Sequence, residues 1–203
     1  MNKTLLIVFV KNIILGKVKT RLAKTVGDNM AFDVYKELVD ITEACSKKVA
    51  ANKHVYFSDV VINSLFVDEL KFVQEGVDLG ERMQKAFEKG FLDGYEKIIL
   101  IGSDLPDISP KIIHEGFDVL EKNEVVFGPA EDGGYYLVGM SKPQFSVFQN
   151  KEWSTEGLLK NTLSELKENK IKTGLLQTLN DIDTFEDLKT SKIYDNEKFH
   201  FNS

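Results

Sequence analysis

Apolar residues fall along the chain in short unbroken runs separated by helical stripes. Leu5-Leu6-Ile7-Val8-Phe9-Val10 shows no polar alternation, which fits a strand of a parallel sheet covered on both faces. Residues 54–57, 71–73, 97–102 and 125–128 read the same way, and Lys97-Ile98-Ile99-Leu100-Ile101-Gly102 is the strongest of them. Between these runs the pattern turns helical. Met30, Val34, Leu38, Ile41 and Cys45 are spaced by three and four and mark one face of a helix that Asp28 can cap. Met83, Ala86, Phe87 and Phe91 mark a second helix. Ser109 as cap, with Pro110 in the first turn, opens a third. Residues 134–138 form a strand after the turn Glu131-Asp132-Gly133, and Trp153-Ser154-Thr155 leads into a helix carrying Leu158, Leu159, Leu163 and Leu166. Residues 174–179 give a late strand, and Asp183-Thr184-Phe185-Glu186 starts the last helix. The polar and aromatic stretch from Ser191 carries no assignable pattern.

Strand alternating with helix predicts an α/β fold with a largely parallel sheet sandwiched between helices. There is no internal repeat, low-complexity tract or linker, so residues 1–203 read as one domain. The length of 203 residues is ample for a sizeable core. A net charge of −6 gives no global attraction to nucleic acid or to an anionic membrane. The first strand is too short to span a bilayer, and no small-residue cleavage site follows it. Cys45 is the only cysteine and lies on an apolar helix face, which makes it core and suits a reducing cytoplasm.

Candidate chemistry collects in loops that follow strands, the edge on which open parallel sheets bind ligands. Gly16-Lys17-Val18-Lys19-Thr20-Arg21-Leu22 sets cations and a hydroxyl beside a glycine. That suits phosphate, although the same residues also read as a solvated basic loop. It is not a Walker loop, because Val18 separates Lys17 from the next residues. Asp104 in Gly102-Ser103-Asp104-Leu105-Pro106 stands just beyond a buried strand. A carboxylate there is costly unless solvated, bonded or metal-bound. Gly133 and Gly134 permit close approach of a ligand or simply build a hairpin. Asp183 with Glu186 makes a capping box, so Asp181 is the better metal candidate of that pair. His54, His114 and His200 have no neighbours at ligand spacing.

Five ordered motifs carry a resemblance. They are Lys11 with Gly16-x-Val18-Lys19-Thr20-Arg21-Leu22; Gly76-x-Asp78-Leu79-Gly80-Glu81-Arg82-Met83; Gly102-Ser103-Asp104-x-Pro106; Gly128-Pro129-Ala130-x-Asp132-Gly133-Gly134-Tyr135-Tyr136; and Asp181-x-Asp183-Thr184. Over roughly residues 4–190 the chain resembles the DUF2064 group of glycosyltransferase-like proteins, also called radical-SAM/selenodomain-associated transferase 1. These are similar to the GT-A class of nucleotide-diphospho-sugar transferases and to certain nucleotidyltransferases. The family loop usually carries prolines where this chain has Asn12-Ile13-Ile14-Leu15.

The resemblance implies a GT-A-like three-layer sandwich and a transferase. Nucleotide would lie across Lys11, Gly16, Lys19, Thr20 and Arg21, with its base toward Gly80 and its phosphates near Lys19, Arg21 and Asp104. Asp104, with Asp181, would hold Mg²⁺ or Mn²⁺, and Lys19 and Arg21 would stabilise charge on the leaving phosphate. A small-molecule acceptor would enter near Gly133, Gly134, Tyr135 and Trp153, with Asp132 as its contact or base. Transfer of a sugar from a nucleotide-sugar is the first expectation. Nucleotidyl transfer from an NTP is the alternative, and non-catalytic nucleotide binding is the third. Many sugar transferases carry two aspartates one residue apart, and Ser103-Asp104-Leu105-Pro106 offers one.

Overall fold

The unbroken apolar run forms strand β1 (Thr4–Val10), and its side chains divide by parity. Leu6, Val8 and Val10 enter a core on one face of the sheet. Leu5, Ile7 and Phe9 enter a core on the other. This computed structural model describes residues 3–200. The other strands are β2 (Asn52–Phe57), β3 (Leu70–Val73), β4 (Lys97–Ile101), β5 (Val125–Pro129), β6 (Tyr135–Met140) and β7 (Thr173–Leu175), in the order β3-β2-β1-β4-β6-β5-β7. Helices α1 (Thr20–Ser46), α3 (Pro110–Val119) and α5 (Phe185–Thr190) cover the first face through Leu38, Ile113 and Leu188. Helices α2 (Leu79–Leu92) and α4 (Leu158–Glu168) cover the second through Phe87 and Leu166. The result is the expected three-layer α/β sandwich.

Pairing is parallel for β1 with β2 and β4, for β2 with β3, and for β5 with β7. β6 is the exception and runs antiparallel to both β4 and β5. The connection from β5 is a short turn, and only a hairpin return is possible over that distance. The reversal places Tyr135, the first residue of β6, at the edge where β4 ends.

Three element boundaries depart from the sequence reading. α1 begins at Thr20, eight residues before Asp28, and carries a break at Gly27 with φ 81° and ψ 162°. Val18, Leu22 and Val26 are buried at a spacing of four and extend the apolar stripe upstream of that break. β7 stops at Leu175, and the chain rejoins the sheet only through a bridge between Ala130 and Leu179. α5 is capped by Thr184, not by Asp183: the Thr184 hydroxyl accepts from the Asp187 amide, while Asp187 Oδ2 accepts from the Thr184 amide at 2.6 Å.

The unassigned tail folds into two 3₁₀ turns at Lys192–Asp195 and Glu197–Phe199. Ile193 and Phe199 bury into the α1 face, and Lys198 pairs with Glu37 at 2.7 Å. Cys45 is buried in the same core. Among the described residues no helix is long and apolar enough to cross a membrane.

Candidate functional site

A cavity of about 630 Å³ opens where β1 and β4 end and β6 begins. Its walls include Lys19, Arg21, Asp104, Asp181, Asp183 and Trp153. The volume is in the range of small-molecule sites.

The first wall is the segment between β1 and α1. Lys19 is the N-cap of α1 and sits in the left-handed region with φ 46° and ψ 47°. That conformation costs a non-glycine residue on the order of 1 kcal/mol. Its carbonyl accepts the first helical bond from Ala23 at 2.9 Å. The start of α1 at Thr20 therefore faces the cavity, and no acidic side chain occupies its first turn. Unsatisfied amides at such a helix start attract anions. Asn12 fixes the segment from behind. It is buried, its Oδ1 accepts from the Asp59 amide at 2.8 Å, and its Nδ2 donates to the Val60 carbonyl at 2.8 Å. The chain thus ties this loop to the one after β2 through a single asparagine.

Tyr35 of α1 joins the ends of β1 and β4. Its hydroxyl accepts from the Lys11 amide at 2.9 Å, donates to the Lys11 carbonyl at 3.2 Å and lies 2.9 Å from Ser103 Oγ. Burial pushes the phenol up to about 12. That keeps it a neutral hydrogen-bonding strut beside Asp104.

The second wall is acidic. Lys19 Nζ lies 3.3 Å from Asp104 Oδ2 and 3.0 Å from Asp183 Oδ1, and Arg21 Nη1 lies 3.4 Å from Asp183 Oδ2. The Lys19 side chain is 5% exposed, against 43% for Asp104 and 41% for Asp183. The ammonium thus sits behind carboxylates that still face solvent. Burial alone pulls the Lys19 pKa down, but Asp104, Asp183 and Asp181 together outweigh it and hold the group above its ordinary value. The segment around Asp181 is fixed to the end of β4 by a bond from the Ile182 amide to the Asp104 carbonyl at 3.4 Å. Asp181 feels the crowding most. Burial first, then the charge of Asp104, push it up to about 7, with Lys19 opposing and Asp183 and Asp132 adding to the push.

The third wall comes from the β5–β6 hairpin and the segment before α4. Asp132 Oδ1 accepts from the Gly134 amide at 2.8 Å, which closes the turn. Tyr135 packs on Phe127 with ring centroids 5.0 Å apart. Its hydroxyl is buried with no hydrogen-bond partner among the described residues. Trp153 lies on the cavity wall beside Ser154 and Thr155, upstream of a helix that starts only at Leu158.

Lys11, Lys19, Thr20, Arg21, Asp104, Asp132, Gly134, Tyr135, Trp153 and Asp181 are thus brought to one cavity. Gly16, Gly80 and Gly133 do not line it. Gly80 is buried inside α2, where a Cβ would collide with the Phe148 carbonyl and sit 2.7 Å from the Trp153 ring. Its smallness lets the start of α2 pack closely on Phe148 and Trp153. Gly133 has φ 87°, and a Cβ there would fall on the Glu156 backbone, so it is a turn glycine under close approach. In the Gly76–Met83 stretch, Asp78 caps α2 by accepting from the Glu81 amide at 2.8 Å, while Leu79, Arg82 and Met83 reach the cavity. Asp183 was read as a cap and is instead the carboxylate that pairs with both cations. Tyr35, Gln74 and Ser58 are cavity residues that the motifs did not single out.

The profile of a family described as "Uncharacterized protein conserved in bacteria (DUF2064)" matches residues 45–155. No curated protein matches the chain by sequence. A crystal structure from Desulfovibrio desulfuricans G20, named as a candidate nucleotide-diphospho-sugar transferase, is similar at TM-score 0.90 and 28% identity, covering 98% of this chain and 97% of that one. The 4-diphosphocytidyl-2C-methyl-D-erythritol synthase of Anaerococcus prevotii DSM 20548 is similar at TM-score 0.63 and 12% identity, covering 95% and 96%. Rv0371C of Mycobacterium tuberculosis H37Rv, in complex with manganese, is similar at TM-score 0.53 and 14% identity, covering 91% and 96%. The last two likenesses are of fold.

Proposed function

Since the chain belongs to the DUF2064 family, we propose that it is a transferase using a nucleotide diphosphate donor, a nucleotide-sugar, with Mg²⁺ or Mn²⁺ and a small-molecule acceptor. The observation that carries this reading is one cavity in which Lys19, Arg21 and the start of α1 meet Asp104, Asp181 and Asp183. Cationic groups and helix amides suit the phosphates of a donor. The name of the Desulfovibrio protein and the manganese in Rv0371C agree with that chemistry.

The carboxylates fit a hard dication. Asp181 is held near 7 by burial and by its acidic neighbours, a strain that a bound cation relieves. Among the described residues no group of three or more ligating side chains is poised around a metal position. Mg²⁺ and Mn²⁺ need only one or two carboxylates, with water and phosphate oxygens filling the remaining positions. Asp104 and Asp181 would hold it, and its chemistry there is neutralisation of the diphosphate as a leaving group.

The chain's own residues do the rest. Arg21 and the Thr20 amide grip phosphate oxygens and orient the donor across the end of β1. Asp132 keeps one oxygen on the Gly134 amide and offers the other to the acceptor hydroxyl. As the acceptor's hydroxyl oxygen attacks the anomeric carbon, the bond from that carbon to the phosphate oxygen breaks, the nucleoside diphosphate leaves and Asp132 takes the hydroxyl proton. Trp153 and Tyr135 form the apolar side of the acceptor space.

Nucleotidyl transfer to a phosphorylated small molecule is the second reading. The lone aspartate of Ser103-Asp104-Leu105 favours it. The test incubates the protein with Mn²⁺, a panel of NTPs and UDP-, GDP- and ADP-sugars, and candidate acceptors. Release of a nucleoside diphosphate supports sugar transfer, and release of pyrophosphate supports the second reading. Nucleotide binding with neither product points to a binding protein. Failure of every nucleotide to raise the melting temperature in Mn²⁺ would overturn the whole assignment.

A further inference from the structure

We infer that Lys19 is a resident cation of the acidic wall, and that a divalent metal and this lysine exchange places as one coupled event. The inference rests on the metal and nucleotide reading of the cavity proposed above. It changes Lys19 from a standing phosphate ligand into a group that must first be released.

The geometry leads there directly. The Lys19 ammonium spans Asp104 and Asp183, so it already neutralises an aspartate that a metal would need. A lysine committed to two carboxylates is not free to meet a phosphate. Its side chain is 5% exposed, while the carboxylates it holds are more than 40% exposed. A hydrated ion arriving from the cavity therefore reaches the carboxylates before anything reaches the lysine.

Charge balance gives the exchange its direction. With all three carboxylates ionised, as metal ligation requires, Asp104, Asp181 and Asp183 face one ammonium and one guanidinium, which leaves one excess negative charge. A dication would turn that excess positive. The balance returns if Lys19 leaves the carboxylates and takes a phosphate of the donor instead. Lysine suits the exchange, because its ammonium is a point charge on a flexible four-carbon stem that can re-aim, unlike a forked guanidinium. Lys19 lines the same cavity as Thr20 and Arg21, so a phosphate bound at the start of α1 lies within the cavity the ammonium already borders. Metal and phosphate then help each other to bind, and the coupling runs through one side chain.

The test uses Mn²⁺ alone as the probe. Free Mn²⁺ is titrated by electron paramagnetic resonance against the wild type, Lys19→Met and Lys19→Gln, without nucleotide. Removing a cation a few ångströms from the carboxylates is expected to tighten Mn²⁺ binding by about tenfold or more. A second readout needs no variant and holds if neither variant folds. The wild type is acetylated with an amine-reactive ester in EDTA or in Mn²⁺, and modification of Lys19 is read by peptide mass spectrometry. Mn²⁺ is expected to raise Lys19 labelling severalfold while Lys47 labelling stays constant. Mn²⁺ that binds the wild type with unchanged Lys19 labelling, or that binds the variants no more tightly, overturns the exchange and leaves the metal site standing. No Mn²⁺ binding by any of the three proteins overturns the exchange and the metal reading together.

Discussion

Asp181→Asn is expected to make the metal-free protein more stable, and by an amount that depends on pH. The folded protein holds Asp181 at about 7 against an ordinary value of 3.8. Between those values the folded state binds a proton that the unfolded state has lost. Ionised Asp181 therefore costs stability in full above about pH 7, and the cost fades as pH falls toward 4. A shift of roughly three units corresponds to ~4 kcal/mol, of which about half survives the cavity's water screening. For a chain of this size ~2 kcal/mol is about 4–8 °C in melting temperature. Differential scanning fluorimetry in EDTA from pH 4 to pH 9 would read this. The amide variant should melt higher at pH 8, keep less than half of that gain at pH 5, and lose it near pH 4. With saturating Mn²⁺ at pH 8 the order should reverse, because the wild type gains a ligand for the cation and the variant has given one up. A gain that is the same at every pH, or a variant that melts lower at pH 8, would refute the placement of Asp181 among uncompensated carboxylates.

Other outcomes follow from single contacts. Asp104→Ala should keep its far-UV circular dichroism and lose the Mn²⁺-dependent thermal shift given by whichever nucleotide binds the wild type. Gly133→Ala meets both a positive φ and the Glu156 backbone, so urea unfolding should show a loss of about 2 kcal/mol or more. Phe199→Ala empties a site that is 1% exposed in the core under α1 and should cost roughly 3–5 kcal/mol in the same assay.

Much of the architecture was legible because it rests on periodicity. Leu5 to Val10 and Ile98 to Ile101 are apolar on both faces, and both became central strands. Asp104 stood out because a charge beyond such a strand needs a reason. The failures have physical causes as well. Asp183-x-x-Glu186 and Thr184-x-x-Asp187 both satisfy the capping pattern, and the chain uses the second. Asp187 also accepts from Asn180 Nδ2 at 3.1 Å and from the Asp183 amide at 3.1 Å, which fixes it in the capping role and frees the Asp183 side chain for Lys19. Tyr35 reads as one more apolar position on a helix until Ser103, 68 residues away, is brought to its hydroxyl. The start of α1 was hidden by Lys17, Lys19, Arg21 and Lys24, which crowd the same turns as Val18 and Leu22. The tail anchors through the isolated residues Ile193 and Phe199 in 3₁₀ turns, and isolated anchors leave no period to detect.

The pairing of Lys19 with Asp183 bridges 164 residues, and this has a consequence for how the protein is made. During synthesis the amino-terminal strands emerge first, and local pairings such as β1 with β2 are available early. Lys19 and Asp104 can meet once β4 has joined the sheet, but Asp181 and Asp183 lie well downstream of β4 and arrive only after β5, β6 and α4 have been made. Contacts this distant in sequence form late, because the loop they close is long. A nascent chain therefore acquires its scaffold before its acidic wall, and nucleotide and metal have no finished surface to act on until the segment with Asp181 and Asp183 has docked beside Asp104.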